Sequence, residues 1–328
     1  MTLGGPLTLA RFGAVETREN YVRAQQLCSE LGDTAQLLPA LWGLWLSDLA
    51  EAKLQEAREL ARQILDIAEL DKDPARLVAA HWAMGTTLGN LGDITAAKSH
   101  FEHGIELYNP KQHDYYATVY GFDPGVACRV ELGGRFLWLL GYPDRALQTL
   151  REAQELARRL SHPPSVTFAL TFEAVLRQLR GEATECMACA DQVLGDEQSP
   201  SNMRAWATLC RGWALASGGD IAPGLEQINQ GIAAHQAIGS PMGRPHFLAV
   251  LAQTLARVGN VAWGLAALGD AFEVMKSTGQ RYYEAELSRL SGELFVKSSE
   301  LETADFYFQE ALRIAREQGA RSLELRVA

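Results

Sequence analysis

The sequence predicts an all-α protein built as a solenoid, with helix pairs stacked along one axis. Three observations carry this. A two-helix unit recurs along most of the 328 residues. Each clear recurrence holds a glycine turn followed five positions later by a small residue. No segment shows the apolar–polar alternation of a half-buried strand.

Taken in order, residues 1–18 read as an irregular N-terminal segment and 19–328 as a single solenoid. "YVRAQQLCSEL" reads as the second helix of a truncated unit, with Ala24 in the small slot. "LWGLWLSDLAEAKLQEARELARQIL" supplies a full pair with Ala57 in that slot. The turns "NLGDITAA", "LLGYPDRA", "QLRGEATEC", "ASGGDIAPG" and "RVGNVAWG" follow. Their glycines are Gly92, Gly141, Gly181, Gly219 and Gly259, and their small residues are Ala97, Ala146, Cys186, Gly224 and Gly264. "SGELFVKSSELETADFYFQEAL" places Ala304 in the last slot. A glycine accepts the positive φ that ends a first helix, and a small residue lets the second helix approach it closely. One pair cannot bury its own apolar face, so neighbouring pairs must stack.

The unit "HWAMGTTLGNLGDITAAKSHFEHGIELYNP" resembles the tetratricopeptide repeat (TPR), with Gly85, Leu88, Gly92, Ala97 and Phe101 on that family's packing positions. The resemblance implies a right-handed superhelix of about seven helix pairs whose first helices line a concave wall. The period is mostly near 40 residues rather than the family's ~34, which fits helices longer by about a turn. A second resemblance rests on "LWGLW", "YGFDPGVAC", "LWLLGYPDRAL", "LRGWALA" and "GRPHFLAVLA". These blocks are similar to the C-terminal repeat region of large bacterial signalling proteins that join a class III adenylate or guanylate cyclase to an AAA- or STAND-type ATPase. In "YGFDPGV", Phe122 stands where that family usually has a polar residue. The resemblance implies a regulatory role toward cyclase or ATPase domains, in cis or in trans.

Composition narrows the function classes. A net charge of −10 argues against binding along a phosphate backbone, which needs a basic surface. No apolar run approaches the ~20 residues of a membrane span. No basic-then-apolar leader opens the sequence, and an odd five cysteines fit a reducing cytoplasm better than a disulfide framework. The expected setting is therefore bacterial and cytoplasmic, with neither nucleic acid nor membrane as partner.

Chemistry-bearing motifs are weak. The chain has no phosphate-binding G-x-x-x-x-G-K-[ST] loop and no G-x-S-x-G elbow. "CMAC" (Cys186, Cys189) has the spacing of zinc and redox sites, but no second C-x-x-C completes a metal site. With Cys186 in the small slot, core packing is the expectation. "HFEH" sets His100 and His103 on one helix face without the H-E-x-x-H pattern. "GSPMGRP" reads as a connection between units, with Pro245 in the first turn of the next helix. No enzyme, cofactor or metal is expected.

The functional expectation is a surface. Counting back from each turn glycine, inward positions hold Trp82, Glu131, Arg135, Trp138, Phe168, Thr171, Gln178, Trp206, Trp213, His246, Gln253, Arg257, Glu286, Arg289 and Glu293. Trp and Arg carry much of interface energy, so a protein or peptide groove is expected there. The stretch 108–126 makes its unit 49 residues long. It reads as a long inter-repeat insertion whose Tyr115, Tyr116, Tyr120 and Phe122 cover or plug the groove. Asp123–Pro124 marks the following helix start. The alternative expectation is a small-molecule sensor with its pocket under Tyr-rich residues 113–123.

Overall fold

The computed structural model describes residues 15–31 and 34–328. The expected irregular segment 1–18 lies outside the described residues as far as position 14; from Val15 onward the chain is helical. No strand occurs among the described residues.

A leading helix α1 (Val15–Leu31) is followed by seven units. Unit 1 is α2 (Thr34–Ala50) and α3 (Leu54–Asp71); unit 2 is α4 (Pro74–Asn90) and α5 (Ile94–Leu107). The insertion contains α6 (His113–Tyr120). In unit 3 the first helix is α7 (Pro124–Glu131), a π turn (Leu132–Phe136) and α8 (Leu137–Leu139), and the second is α9 (Pro143–Arg159). Unit 4 is α10 (Pro163–Arg180) and α11 (Ala183–Gly195); unit 5 is α12 (Ser201–Gly218) and α13 (Ile221–Ala237). Unit 6 is α14 (Arg244–Arg257) and α15 (Val261–Thr278); unit 7 is α16 (Glu284–Lys297) and α17 (Leu301–Gln318). A short α18 (Arg321–Val327) follows.

The turn chemistry is regular. Gly92, Gly141, Gly181, Gly219 and Gly259 all have positive φ. In units 1 and 7 the same position holds Ala52 and Ser299, and both take φ near 60° despite carrying a Cβ (53° and 63°). The backbone closes these turns as it does the glycine ones, with Lys53 N donating to Asp48 O at 2.8 Å and Glu300 N to Phe295 O at 2.9 Å. Five residues on, Ala57, Ala97, Ala146 and Cys186 are fully buried. Helix starts also follow sequence logic. The Asp73 carboxylate accepts from Ala75 N at 2.9 Å, and Asp123 accepts from Val126 N at 2.9 Å with Pro124 next in line.

The superhelix closes on itself after five units. The turn of unit 1 meets the connection between units 5 and 6, where Ser240 Oγ donates to Ala50 O at 2.6 Å. The turn of unit 2 meets the connection between units 6 and 7, where Arg281 N donates to Asn90 O at 2.8 Å. Gln318 Nε2 in turn donates to Arg281 O at 2.7 Å. The turn of unit 3 meets α18, where Ser322 Oγ donates to Trp138 O at 2.6 Å. The close fit shows at Gly92, where an added Cβ would lie 2.8 Å from Gln318 and 3.0 Å from Arg281. The first helices therefore form an enclosed inner layer.

Candidate functional site

Closure brings seven of the expected groove residues, Glu131, Arg135, Trp138, Gln178, His246, Glu286 and Arg289, into one buried centre. Arg135 comes from unit 3 and pairs with Glu131 one helical turn away. Its guanidinium also lies 4.9 Å from the Tyr282 ring and 5.3 Å from the Phe172 ring. His246 of unit 6 bonds Gln178 of unit 4 at 3.0 Å and stacks on Tyr283 at 4.4 Å. Arg289 forks onto Glu286 at 2.8 and 2.9 Å. From α18, Arg326 lies 4.6 Å over the Trp138 ring and donates to Glu286 at 3.0 Å and to the Leu179 carbonyl.

The electrostatics follow from burial. Removal from water, helped by the Arg135 charge, pushes His246 down to about 3, so the imidazole stays neutral. Burial alone would raise the Glu286 carboxyl. The Arg289 hydrogen bonds and the Arg289 and Arg326 charges outweigh it and hold the group below its ordinary value.

A second centre forms under the insertion. Trp42 and Trp45 of α2 pack against Trp82 of α4, tilted at 5.1 Å and edge-on at 5.9 Å between ring centres. Tyr120 meets Trp42 at 4.7 Å, and Phe122 touches both Trp82 (6.4 Å) and Phe168 (5.2 Å). Tyr116, Tyr120 and Phe122 are buried in this contact, while Tyr115 stays 42% exposed. The insertion is pinned by Asp123, which accepts from Tyr108 Oη at 2.8 Å and bonds His113 Nδ1 at 3.0 Å. His162 closes the group, its ring 5.2 Å from His113 and its Nδ1 2.9 Å from Ser165 Oγ.

The candidate residues divide by exposure. Trp82, Arg135, Trp138, Phe168, Gln178, Trp213, His246 and Arg289 are buried. Trp206 and Gln253 are half-buried, and Arg257 is exposed with its Nη1 3.5 Å from Ser217 Oγ. A cleft of about 560 Å³ lies between α1 and the first turn, lined by Arg18, Arg23 and Lys53. Another of about 430 Å³ lies between α10 and α11, lined by His162 and Asp196. Neither touches the candidate residues.

Several polar atoms of the inner layer are buried without a partner among the described residues. They include Trp42 Nε1, Ser47 Oγ, Trp82 Nε1, Thr86 Oγ1, Arg135 Nε and His246 Nδ1. Buried polar groups are normally paired, so their concentration on first helices is a property of this wall.

The other sequence motifs resolve as packing. Cys186 fills its slot and donates to Ala174 O at 3.3 Å; contact with Cys210 and burial push its thiol up. Burial pushes Cys189 up to about 12. His100 bonds His81 at 3.0 Å, and His103 donates to Ser99 O at 2.7 Å. No cluster of three His, Cys, Asp or Glu residues suited to a metal occurs among the described residues.

Sequence reasoning missed Trp42, the His113–Asp123–Tyr108 network, Tyr282–Tyr283 and Arg326. Trp42 lies in a unit without its turn glycine, and the rest acquire partners only through closure or the insertion's path. No local spacing carried that information.

The family model for the tetratricopeptide repeat matches residues 78–110, which is unit 2 and its exit. No curated protein matches the sequence. Among solved structures, a Rap protein complexed with competence and sporulation factor is similar with a TM-score of 0.67 at 14% identity, over 85% of this chain and 76% of that one. The Rap conjugation gene regulator of plasmid pLS20 in complex with the Phr* peptide gives 0.62 at 12%, over 88% and 76%. The apo form of RapI gives 0.58 at 11%, over 85% and 97%. At these identities the likeness is one of fold. The repeats form a TPR-like region.

Proposed function

We propose that this chain is a non-catalytic module that holds an extended protein or peptide segment against its inner wall. The observation that carries the reading is the set of unpartnered buried polar atoms on the first helices. Each unmet group costs on the order of 1–3 kcal/mol, and an extended peptide offers carbonyl acceptors along its length. Gln253 and Arg257, at the less buried end of that wall, give such a segment a place to enter. Two of the similar folds were solved with a bound factor or peptide, which adds an analogy. By the sequence resemblance, the module would act as a regulatory or scaffold part toward cyclase or ATPase domains, in cis or in trans.

A peptide-library screen against the purified chain tests this, followed by titration of the best binder. Trp82→Phe keeps the ring and deletes the N–H, so it should weaken binding roughly tenfold, the scale of one hydrogen bond. Arg257→Glu should weaken it through lost charge. If no segment binds, or if neither change alters affinity, the reading fails.

A second reading has its own support. The unpartnered indole nitrogens of Trp42 and Trp82 lie beneath Tyr120 and Phe122, as a small-molecule sensor under the Tyr-rich residues 113–123 would need. Native mass spectrometry separates the two: a co-purifying small molecule favours this one.

A further inference from the structure

The unmet polar atoms of the inner layer are unequal in kind. Trp42 Nε1, Trp82 Nε1, Arg135 Nε and Arg244 Nε can only donate. Ser47, Thr86 and Tyr282 carry hydroxyls that donate or accept. Among the described residues of this layer, the atom restricted to accepting is His246 Nδ1. Burial keeps that ring neutral, and its Nε2 gives its hydrogen to Gln178 Oε1 at 3.0 Å. Gln227 and Gln318 hold unmet acceptors too, but on second helices, outside the layer. An occupant must therefore bring several acceptors and few donors. An ordinary peptide brings one N–H for every carbonyl, and inside an enclosed layer most of those N–H groups would go unpaired. A run of proline keeps every carbonyl and has no N–H.

The same layer is paved with rings. Trp42 meets Trp82 at 5.1 Å, Phe122 bridges Trp82 and Phe168 at 6.4 and 5.2 Å, and Phe168 meets Phe172 at 5.0 Å. Arg135 reaches Phe172 and Tyr282, 5.3 and 4.9 Å from their rings. Tyr283, 5.7 Å from Tyr282, carries the track on to His246 at 4.4 Å. Most of the unmet donors thus stand along one continuous aromatic track between units 1 and 6. Polyproline helices dock on aromatic-lined grooves, because their carbonyls are unpaired and their conformation is already fixed. The insertion closes over the first part of this track. Tyr120 lies on Trp42 at 4.7 Å and Phe122 touches Trp82, yet neither gives the indole N–H groups an acceptor. It covers the rings without meeting their hydrogen-bonding needs, so a better-matched segment can replace it.

We infer, on the footing of the peptide-binding reading above, that the segment held by the inner wall is proline-rich. Its carbonyls accept from Trp42, Trp82 and Arg135, and it takes the place of Tyr120 and Phe122 over the two tryptophans.

Titration of the whole chain with capped decaproline, against a capped decamer of alternating Ala and Ser, tests this. Both peptides carry the same number of carbonyls, but only the second carries backbone N–H groups along its length. Decaproline should bind roughly tenfold more tightly or better, the scale of one unpaired group avoided. Trp42→Phe keeps a ring and deletes one donor, so it should weaken decaproline roughly tenfold, with circular dichroism unchanged. In the unaltered chain, amide exchange over α6 (His113–Tyr120) should quicken when decaproline binds, because the cover is displaced. If the Ala–Ser decamer binds as tightly as decaproline, or if exchange over α6 stays the same or slows on binding, the proline-rich segment is overturned while the peptide-binding reading stands. If no segment of any composition binds, both fall.

Discussion

At the residue scale, Asp123 shows how one side chain holds several levels together. It caps α7, accepts from Tyr108 and pairs with His113, all while fully buried. Asp123→Ala would strand both partners and the cap, so chemical denaturation should read a loss of about 2 kcal/mol or more. A loss below half that would show the network to be dispensable. Histidines give a pH signature at the same scale. Burial brings His246 to about 3 and both His81 and His235 to about 4, against about 6.5 unfolded. Arg135 adds to the lowering at His246 and Glu286 opposes it. Folded values below unfolded ones mean that stability is intact above about pH 6.5 and is lost as pH falls toward the folded values. Each histidine adds a slope of up to roughly 1.4 kcal/mol per pH unit in that window. The urea midpoint should therefore fall between about pH 6.5 and 4.5, and less steeply in His246→Gln; equal slopes would mean His246 is not held neutral.

At the scale of elements, the helix pair is set by close approach. A Cβ on Gly212 would sit 2.7 Å from Ile228 N and 2.8 Å from Gly224 O, both backbone atoms that cannot swing aside. Gly212→Val should force α12 and α13 apart and cost about 1–3 kcal/mol, seen as a lower thermal midpoint. An unchanged midpoint would mean that the pair yields freely. Such positions were legible in the sequence because small residues recur at a fixed distance from the turn. The insertion was legible only in part. Its extra length and the Asp123–Pro124 helix start could be read locally. That residues 113–120 make a full helix laid on Trp42 could not, because Trp42 is about seventy positions away.

At the scale of the whole molecule, stacked repeats ordinarily couple only to their neighbours and can unfold piecemeal. Here Ser240, Arg281 and Ser322 tie units together across most of the chain. A single cooperative urea transition is expected, the same by fluorescence and by circular dichroism; two separated transitions would show that the ties carry little energy. Arg326→Ala removes the guanidinium from Trp138 and Glu286. It should speed amide exchange around residues 138–142 more than around 219–221, and uniform exchange would argue against a local tie.

The sequence by itself determined the helix pairs, their number, their turns and their stacking, since each depends on residues within about forty positions. Glycine conformation, small-residue approach and apolar periodicity are local physics. The pitch of the superhelix was decided only in three dimensions, because small rotations per unit accumulate until the fifth neighbour arrives. That arrival buried Trp138, Gln178 and His246 in a shared interior and left Trp263 and Leu301 facing outward.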